Sequence, residues 1–176
     1  MTNYYTYLIA SLPYLHFGAR PPFSFEKFIS LCVRHIPEGD TEILNNIPTI
    51  DKAFYEGSQP TLSKWQAYET ALRNEGVKIR ASHKHLDPLK YLRGEGVIDL
   101  YLSHLVMSAH RSPSILETEK VLDEERWRFL DELTFGHYFD LDVLIIYALK
   151  LLILERWEKI NTADKAKVLE ETLIKV

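Results

Sequence analysis

The sequence predicts a mainly α protein: one all-helical domain over residues 1–176, built as a helical bundle around a buried C-terminal helix at about 141–158. Three observations predict it. In FDLDVLIIYALKLLILERWE, residues 139–158, every position from 143 to 154 is apolar or aromatic except Lys150. A helix that is hydrophobic on nearly all sides belongs in the middle of a fold. Apolar residues recur at helical spacing along most of the remaining chain. Only GHYF, residues 136–139, separates the buried helix from the one before it, and so short a loop implies an antiparallel hairpin.

Residues 4–17 are dense in tyrosine and leucine and fit strand or helix by propensity. Tyr5, Leu8, Ile9 and Leu12 fall at helical spacing and favour a first helix through about Ala10, with Pro13 as an interruption. GARPPFS is a turn. Ser24 caps FEKFISLCVRHI, in which Phe25, Phe28, Ile29, Cys32, Val33 and Ile36 make a stripe. Pro37 to Asp40 ends that helix. Asp40 opens a short run, TEILNNI, closed by Pro48, and residues 49–60 hold at most one more short helix.

From about Thr61 a longer polar helix carries Trp65, Tyr68, Ala71 and Leu72 on one side. Gly76 interrupts the pattern, and residues 77–82 read as strand or helix, with helix favoured. Leu86, Asp87 and Pro88 mark a boundary. From Val97, residues Ile98, Tyr101, Leu102, Leu105 and Ala109 form one helical face. Ser112 is the expected cap of the next helix, with Pro113 at its first position. That helix runs to about Phe135 with Ile115, Leu122, Phe129, Leu130 and Leu133 aligned, and Gly136 stops it. Asp140 caps the buried helix, and Asp142 complements its dipole. Asn161 and Thr162 are expected to recap a last helix, ADKAKVLEETLIK.

Composition narrows the function classes. The chain is 46% hydrophobic and 26% charged, with net charge −4, which gives no reason to invoke nucleic acid. A single cysteine, Cys32, excludes an internal disulfide and fits a reducing compartment. The N-terminus lacks the basic region of a secretory signal. The twelve residues from 143 to 154 reach about 18 Å, against about 30 Å of bilayer hydrocarbon. The expected location is cytoplasmic, with any attachment to the inner face of the cell membrane made through partners.

The motifs of common chemistries are absent: no phosphate loop, no HExxH, no paired CxxC and no GxSxG. Gly94, Glu95 and Gly96 read as a turn. His83 and His85, two residues apart around Lys84, point in different directions on a helix and do not make a metal site. Cys32, on its apolar stripe, reads as a buried inert thiol. No catalytic, cofactor or metal residue is assigned.

The informative charges are structural. Arg126 lies between Leu122, Phe129 and Leu130, inside an apolar stripe, and a buried guanidinium must be paired. Glu119, Asp142 and Glu155 are its candidate partners, and Lys150 invites the same treatment. Charge is also uneven along the chain. Residues 73–93 carry Arg73, Lys78, Arg80, Lys84, Lys90 and Arg93 against Glu75 and Asp87, whereas residues 114–142 are strongly acidic. Such a distribution can guide docking to another protein.

Four stretches, YYTYLIASLPYL, PPFSFEKF, RWRFLDELTFGHYFDLD and VLIIYALKLLILERW, resemble an uncharacterised bacterial family encoded among the subunits of V-type ATP synthases. A fainter resemblance is to the socket subunit of the archaeal and V-type enzymes, the all-helical component between central stalk and membrane ring. Tyr5, Tyr7, Leu8 and Ala10 are similar to its opening, and residues 139–150 to its capped apolar helices. At about half the length of the socket subunit, this chain cannot form the full three-lobed funnel. The resemblance implies a non-enzymatic subunit or accessory protein that binds the central stalk or membrane ring. It brings no cofactor and no catalytic residue. A small helical enzyme using His, Asp and Glu, or a generic helical adaptor, are the alternative expectations.

Overall fold

The computed structural model describes residues 4–50, 59–94 and 99–173, without the side chains of Ile50 and residues 164–173. Among the described residues are seven α-helices, one 3-10 turn and no strand. The helices are α1 (Thr6–Ser11), α2 (Phe25–Cys32), α3 (Glu38–Ile50), α4 (Pro60–His83), α5 (Leu100–Ala109), α6 (Ile115–Leu133) and α7 (Leu141–Leu173). The mainly α expectation holds. The chain groups into two units, one of Met1–Thr49 with Leu130–Val176 and one of Ile50–Phe129.

In the first unit α7 is the buried element. Leu144, Ile145, Ile146, Ala148, Leu149, Leu151, Ile153 and Leu154 are all buried, and at about 100° per residue these positions point to nearly every side of the helix. Asp140 caps it, accepting from the Val143 N–H at 3.3 Å. Helix α2 packs along it. Phe28 stacks on Tyr147 with ring centroids 5.2 Å apart, and the Phe25 N–H donates to Glu155 at 2.7 Å. Ser24 caps α2 as expected, accepting from Lys27 N–H. Phe25, Phe28, Cys32 and Ile36 are buried, but Val33 is exposed because α2 ends one residue before it. Before α7, Gly136 sits at φ +87°, a left-handed conformation that suits glycine. Lys150 then reaches back to Asp131 at 2.5 Å, so α7 runs back past the end of α6.

The second unit forms its core between α4, α5 and α6. Leu72, Leu102, Val106, Ala109 and Leu122 cluster there, with Tyr68, Ala71, Ile79 and Leu105 packed against them. Thr118 ties α6 to α5 by donating to the Ala109 carbonyl.

Several boundaries differ from expectation. Helix α3 starts at Glu38 and continues through Pro48, which costs the bond to one carbonyl. Helix α4 runs unbroken through Gly76 to His83, so residues 77–82 are helical. A glycine inside a helix costs only about 1 kcal/mol, and Gly76 is buried among packed residues. Ser114, not Ser112, caps α6 by accepting from Glu117 N–H. Ser112 instead receives the Ser114 N–H and donates to the Glu117 carboxylate. Ile115, expected on the stripe, is exposed. Asn161 and Thr162 do not recap a new helix. Thr162 donates to the Glu158 carbonyl one turn back, so its hydroxyl is satisfied within a continuous 33-residue α7. The short helix expected within 49–60, the turn at 94–96 and Val97 and Ile98 fall largely or wholly outside the described residues.

Candidate functional site

Arg126 is paired, as a guanidinium in an apolar stripe must be, but its partners are Glu69 and Asp123. Its Nε donates to Glu69 Oε1 at 2.6 Å and its Nη1 to Asp123 Oδ1 at 2.9 Å. The arginine side chain is 13% exposed, Glu69 8% and Asp123 not at all. Burial works against the charge on Arg126, yet Glu69 and then Asp123 more than offset it and hold the guanidinium above its ordinary value.

The three expected partners are elsewhere. Glu119 is exposed, two turns along α6. Glu155 holds the N-terminus of α2. Asp142 stands beside His137 at 3.7 Å. Lys150, the other cation singled out, pairs with Asp131. None of these reaches Arg126, because α6 turns it toward α4.

A further buried carboxylate, Glu125, lies one residue before Arg126 and has no counterpart among the expected ion-pair residues. Tyr68 and Tyr101 donate to it at 3.2 and 2.9 Å, and Arg128 grips it at 2.5 and 3.0 Å. Arg128 also lies over the Tyr101 ring, 5.0 Å from its centroid. Tyr68 stacks face to face on Phe129 at 3.8 Å. Burial first, then the charge and hydrogen bond of Glu125, push the Tyr68 hydroxyl well above its ordinary value. Tyr101 is raised too, mainly by its hydrogen bond to Glu125. These carboxylates and cations satisfy one another across α4, α5 and α6. What the cluster does chemically is to fix the register of three helices.

In the first unit His137, Asp140 and Asp142 place one nitrogen and two carboxylate oxygens within 4.8 Å of one another. His137 Nδ1 is 2.6 Å from Asp140 Oδ2, while Asp140 Oδ1 caps α7. Both Asp140 oxygens are therefore engaged in holding the start of the helix, whose positive dipole end disfavours a cation. Tyr5 adds to this junction: its N–H donates to the Phe139 carbonyl and its hydroxyl to Asp40.

Around that junction the surface is aromatic. Tyr4, Tyr7, Tyr14, Phe135 and Tyr138 are each between 72% and 92% exposed. The Tyr5–Phe139 bond puts Tyr4 next to the Tyr138 segment. A groove of about 220 Å³ puts Tyr14 across from Thr134, the neighbour of Phe135. Its floor is Val143, Ile146 and Tyr147 of α7, with Lys150 at one side. No carboxylate or imidazole among the described residues lines it.

Comparison with known proteins adds one finding. Residues 94–175 match the DUF2764 family model, described as a protein of unknown function. The matched stretch is a little under half of the chain. It holds α5, α6 and α7, and with them Arg126, the aromatic turn before α7 and the buried helix itself. The tract from Arg126 to Trp157, which carries most of the resemblance to an uncharacterised family, lies inside the DUF2764 stretch, while YYTYLIASLPYL and PPFSFEKF lie outside it. The DUF2764 description names no activity and no partner. No curated protein and no solved structure matches the chain.

Proposed function

We propose that this chain is a non-enzymatic helical protein that binds subunits of a V-type ATP synthase, as a shortened relative of the socket subunit or an accessory to it. The observation that carries the reading is the exposed aromatic surface of the first unit. Five large aromatic side chains stand in solvent around α1 and the turn before α7, and large exposed apolar patches on soluble proteins mark interaction sites. Tyrosine and phenylalanine are also the residues that protein interfaces favour at their centres. The buried ionisable groups support a binding role, because they are engaged with one another. The resemblance of four sequence stretches supplies the identity of the partner. No helix among the described residues is long and apolar enough to cross a membrane, so attachment to the membrane enzyme runs through its central stalk or ring.

The test is retention of the intact protein on ATP synthase solubilised in mild detergent. Stalk or ring subunits are expected to co-purify. The double variant Phe135→Ser, Tyr138→Ser should lose them while keeping its helical circular dichroism. If the wild-type protein retains no ATP synthase subunit, the reading falls. Retention of an unrelated protein through the same aromatic surface would instead make it a general adaptor.

A further inference from the structure

A second recess, in the other unit, is marked by charge. Helix α4 ends at His83, and His85 takes a left-handed conformation with φ +53°. The Leu86 N–H then reaches the Ala81 carbonyl at 2.9 Å, the closing bond of a Schellman turn. This folds Leu86 back against the last turn of α4. Asp87 caps the 3-10 turn Pro88–Lys90, which delivers Tyr91. Asn74 clamps the far end of the loop, its amide nitrogen donating to the Arg93 carbonyl at 2.8 Å and its oxygen accepting from the Arg93 N–H at 3.0 Å. The result is a recess of about 200 Å³ lined by Val77, Ala81, Leu86 and Tyr91 with the cations Arg80 and Lys84.

Among the described residues no carboxylate claims the cations of that recess. Arg73 faces Glu69, and Lys78 is held by Glu75 at 2.5 Å. Asp87 spends an oxygen on the Leu89 N–H. Arg80, Lys84, Lys90 and Arg93 have no carboxylate partner among the described residues. Gly76 contributes by what it lacks. A Cβ there would stand 3.2 Å from the Arg80 guanidinium, which occupies that space. The α4 carbonyls that would otherwise attract the lysine are already bonded to the N–H groups of Lys84, His85 and Leu86.

We infer that this recess takes an acidic segment of a partner protein, with one large apolar side chain entering it and carboxylates on either side meeting Arg80 and Lys84. The inference deepens the binding-protein reading and rests on it for the partner being a protein. Charge complementarity selects the occupant. A volume of about 200 Å³ suits a single side chain. Because the cations are exposed, the contact is salt-sensitive over a Debye length of about 10 Å at 0.1 M.

The experiment titrates the full-length protein with a fluorescein-labelled peptide, Gly-Glu-Asp-Glu-Phe-Glu-Asp-Glu-Gly. Saturable binding is expected, weakened at least tenfold by Arg80→Glu with Lys84→Glu, by 0.5 M salt, and by serine in place of the central phenylalanine. Circular dichroism of the variant controls for folding. Absent saturation, equal binding by the double variant, or indifference to the phenylalanine each overturns the inference. So does sedimentation with vesicles of 30% phosphatidylserine that depends on Arg80 and Lys84 and is not competed by the peptide. A concentration-dependent dimer lost in the double variant would assign the recess to a second copy and overturn it as well. Any of these failures leaves the ATP synthase retention assay, which reads the aromatic surface, to stand or fall separately.

Discussion

Replacing Arg126 by methionine keeps most of the side-chain volume and removes the charge, leaving Glu69 and Asp123 buried without their cation. Breaking a buried ion pair from one side costs about 3–5 kcal/mol, because the stranded charge has lost water as well as its partner. Two carboxylates are stranded here, one fully buried. Arg73, 3.9 Å from Glu69, recovers part of the loss. The lower half of the range is therefore expected, a large fraction of the about 5–15 kcal/mol that holds a domain together. Urea unfolding followed by tryptophan fluorescence reads it, since Trp65 and Trp127 are both buried in the second unit. With an m-value of about 2 kcal/mol/M, the midpoint should fall by about 1.5–2 M. Adding Glu69→Met and Asp123→Leu to the variant should return stability to within about 1–2 kcal/mol of wild type. A loss under about 1 kcal/mol would refute the reasoning and mean that water reaches the cluster.

The remaining expectations concern single sites. Burial pushes the Cys32 thiol from 9.0 up to about 12, so at pH 8 almost no reactive thiolate exists. Labelling by a disulfide reagent should be slow in the native protein and fast in urea, and rapid native labelling would show that α2 opens readily. His85 holds a left-handed conformation without being glycine, so His85→Gly should raise stability by about 0.5–1 kcal/mol, measured as a higher thermal midpoint. No gain would mean that the imidazole contributes contacts equal to the strain it carries.

The buried helix was legible because apolar or aromatic side chains at eleven of twelve consecutive positions leave a helix no exposed face to choose. Arg126 was legible for the related reason that a cation stood where the stripe demanded none. Its partners were not. Glu69 lies 57 residues away on a helix whose angle to α6 no periodicity specifies. Asp123 sat one turn back in plain view, masked by a run of adjacent acids, Asp123, Glu124 and Glu125, of which two are buried and one is exposed. The continuation of α4 through Gly76 was obscured because a glycine reads as a break unless its neighbours are known to be packed, and Asn74 and Glu75 are buried beside it. The unbroken course of α7 past Asn161 was hidden because the sequence shows a capping residue and not where its side chain turns. Thr162 spends its hydroxyl on the preceding turn.

The two units satisfy their interiors by different means, and that difference indicates where function resides. The described core of the first is nearly all hydrocarbon, with Phe28, Cys32, Leu44, Leu144, Ile145 and Leu151 wholly shielded. With so many apolar residues already inside, Tyr7, Tyr14, Phe135 and Tyr138 are surplus to the core, with Tyr7 and Tyr14 packing against His35 and His16 at the surface. The second unit buries Glu69, Glu75, Asp123 and Glu125 and meets them with Arg73, Lys78, Arg126, Arg128 and two tyrosines. Four buried anions thus meet four cations, and Arg80, Lys84, Lys90 and Arg93 are left without a carboxylate among the described residues. Each unit thus exposes the kind of group that its own core does not need. Surface aromatics invite aggregation and clustered cations repel, so both cost a fold that needs neither for its core. The binding role proposed above gives each a use, one contact made through aromatic rings and the other through charge.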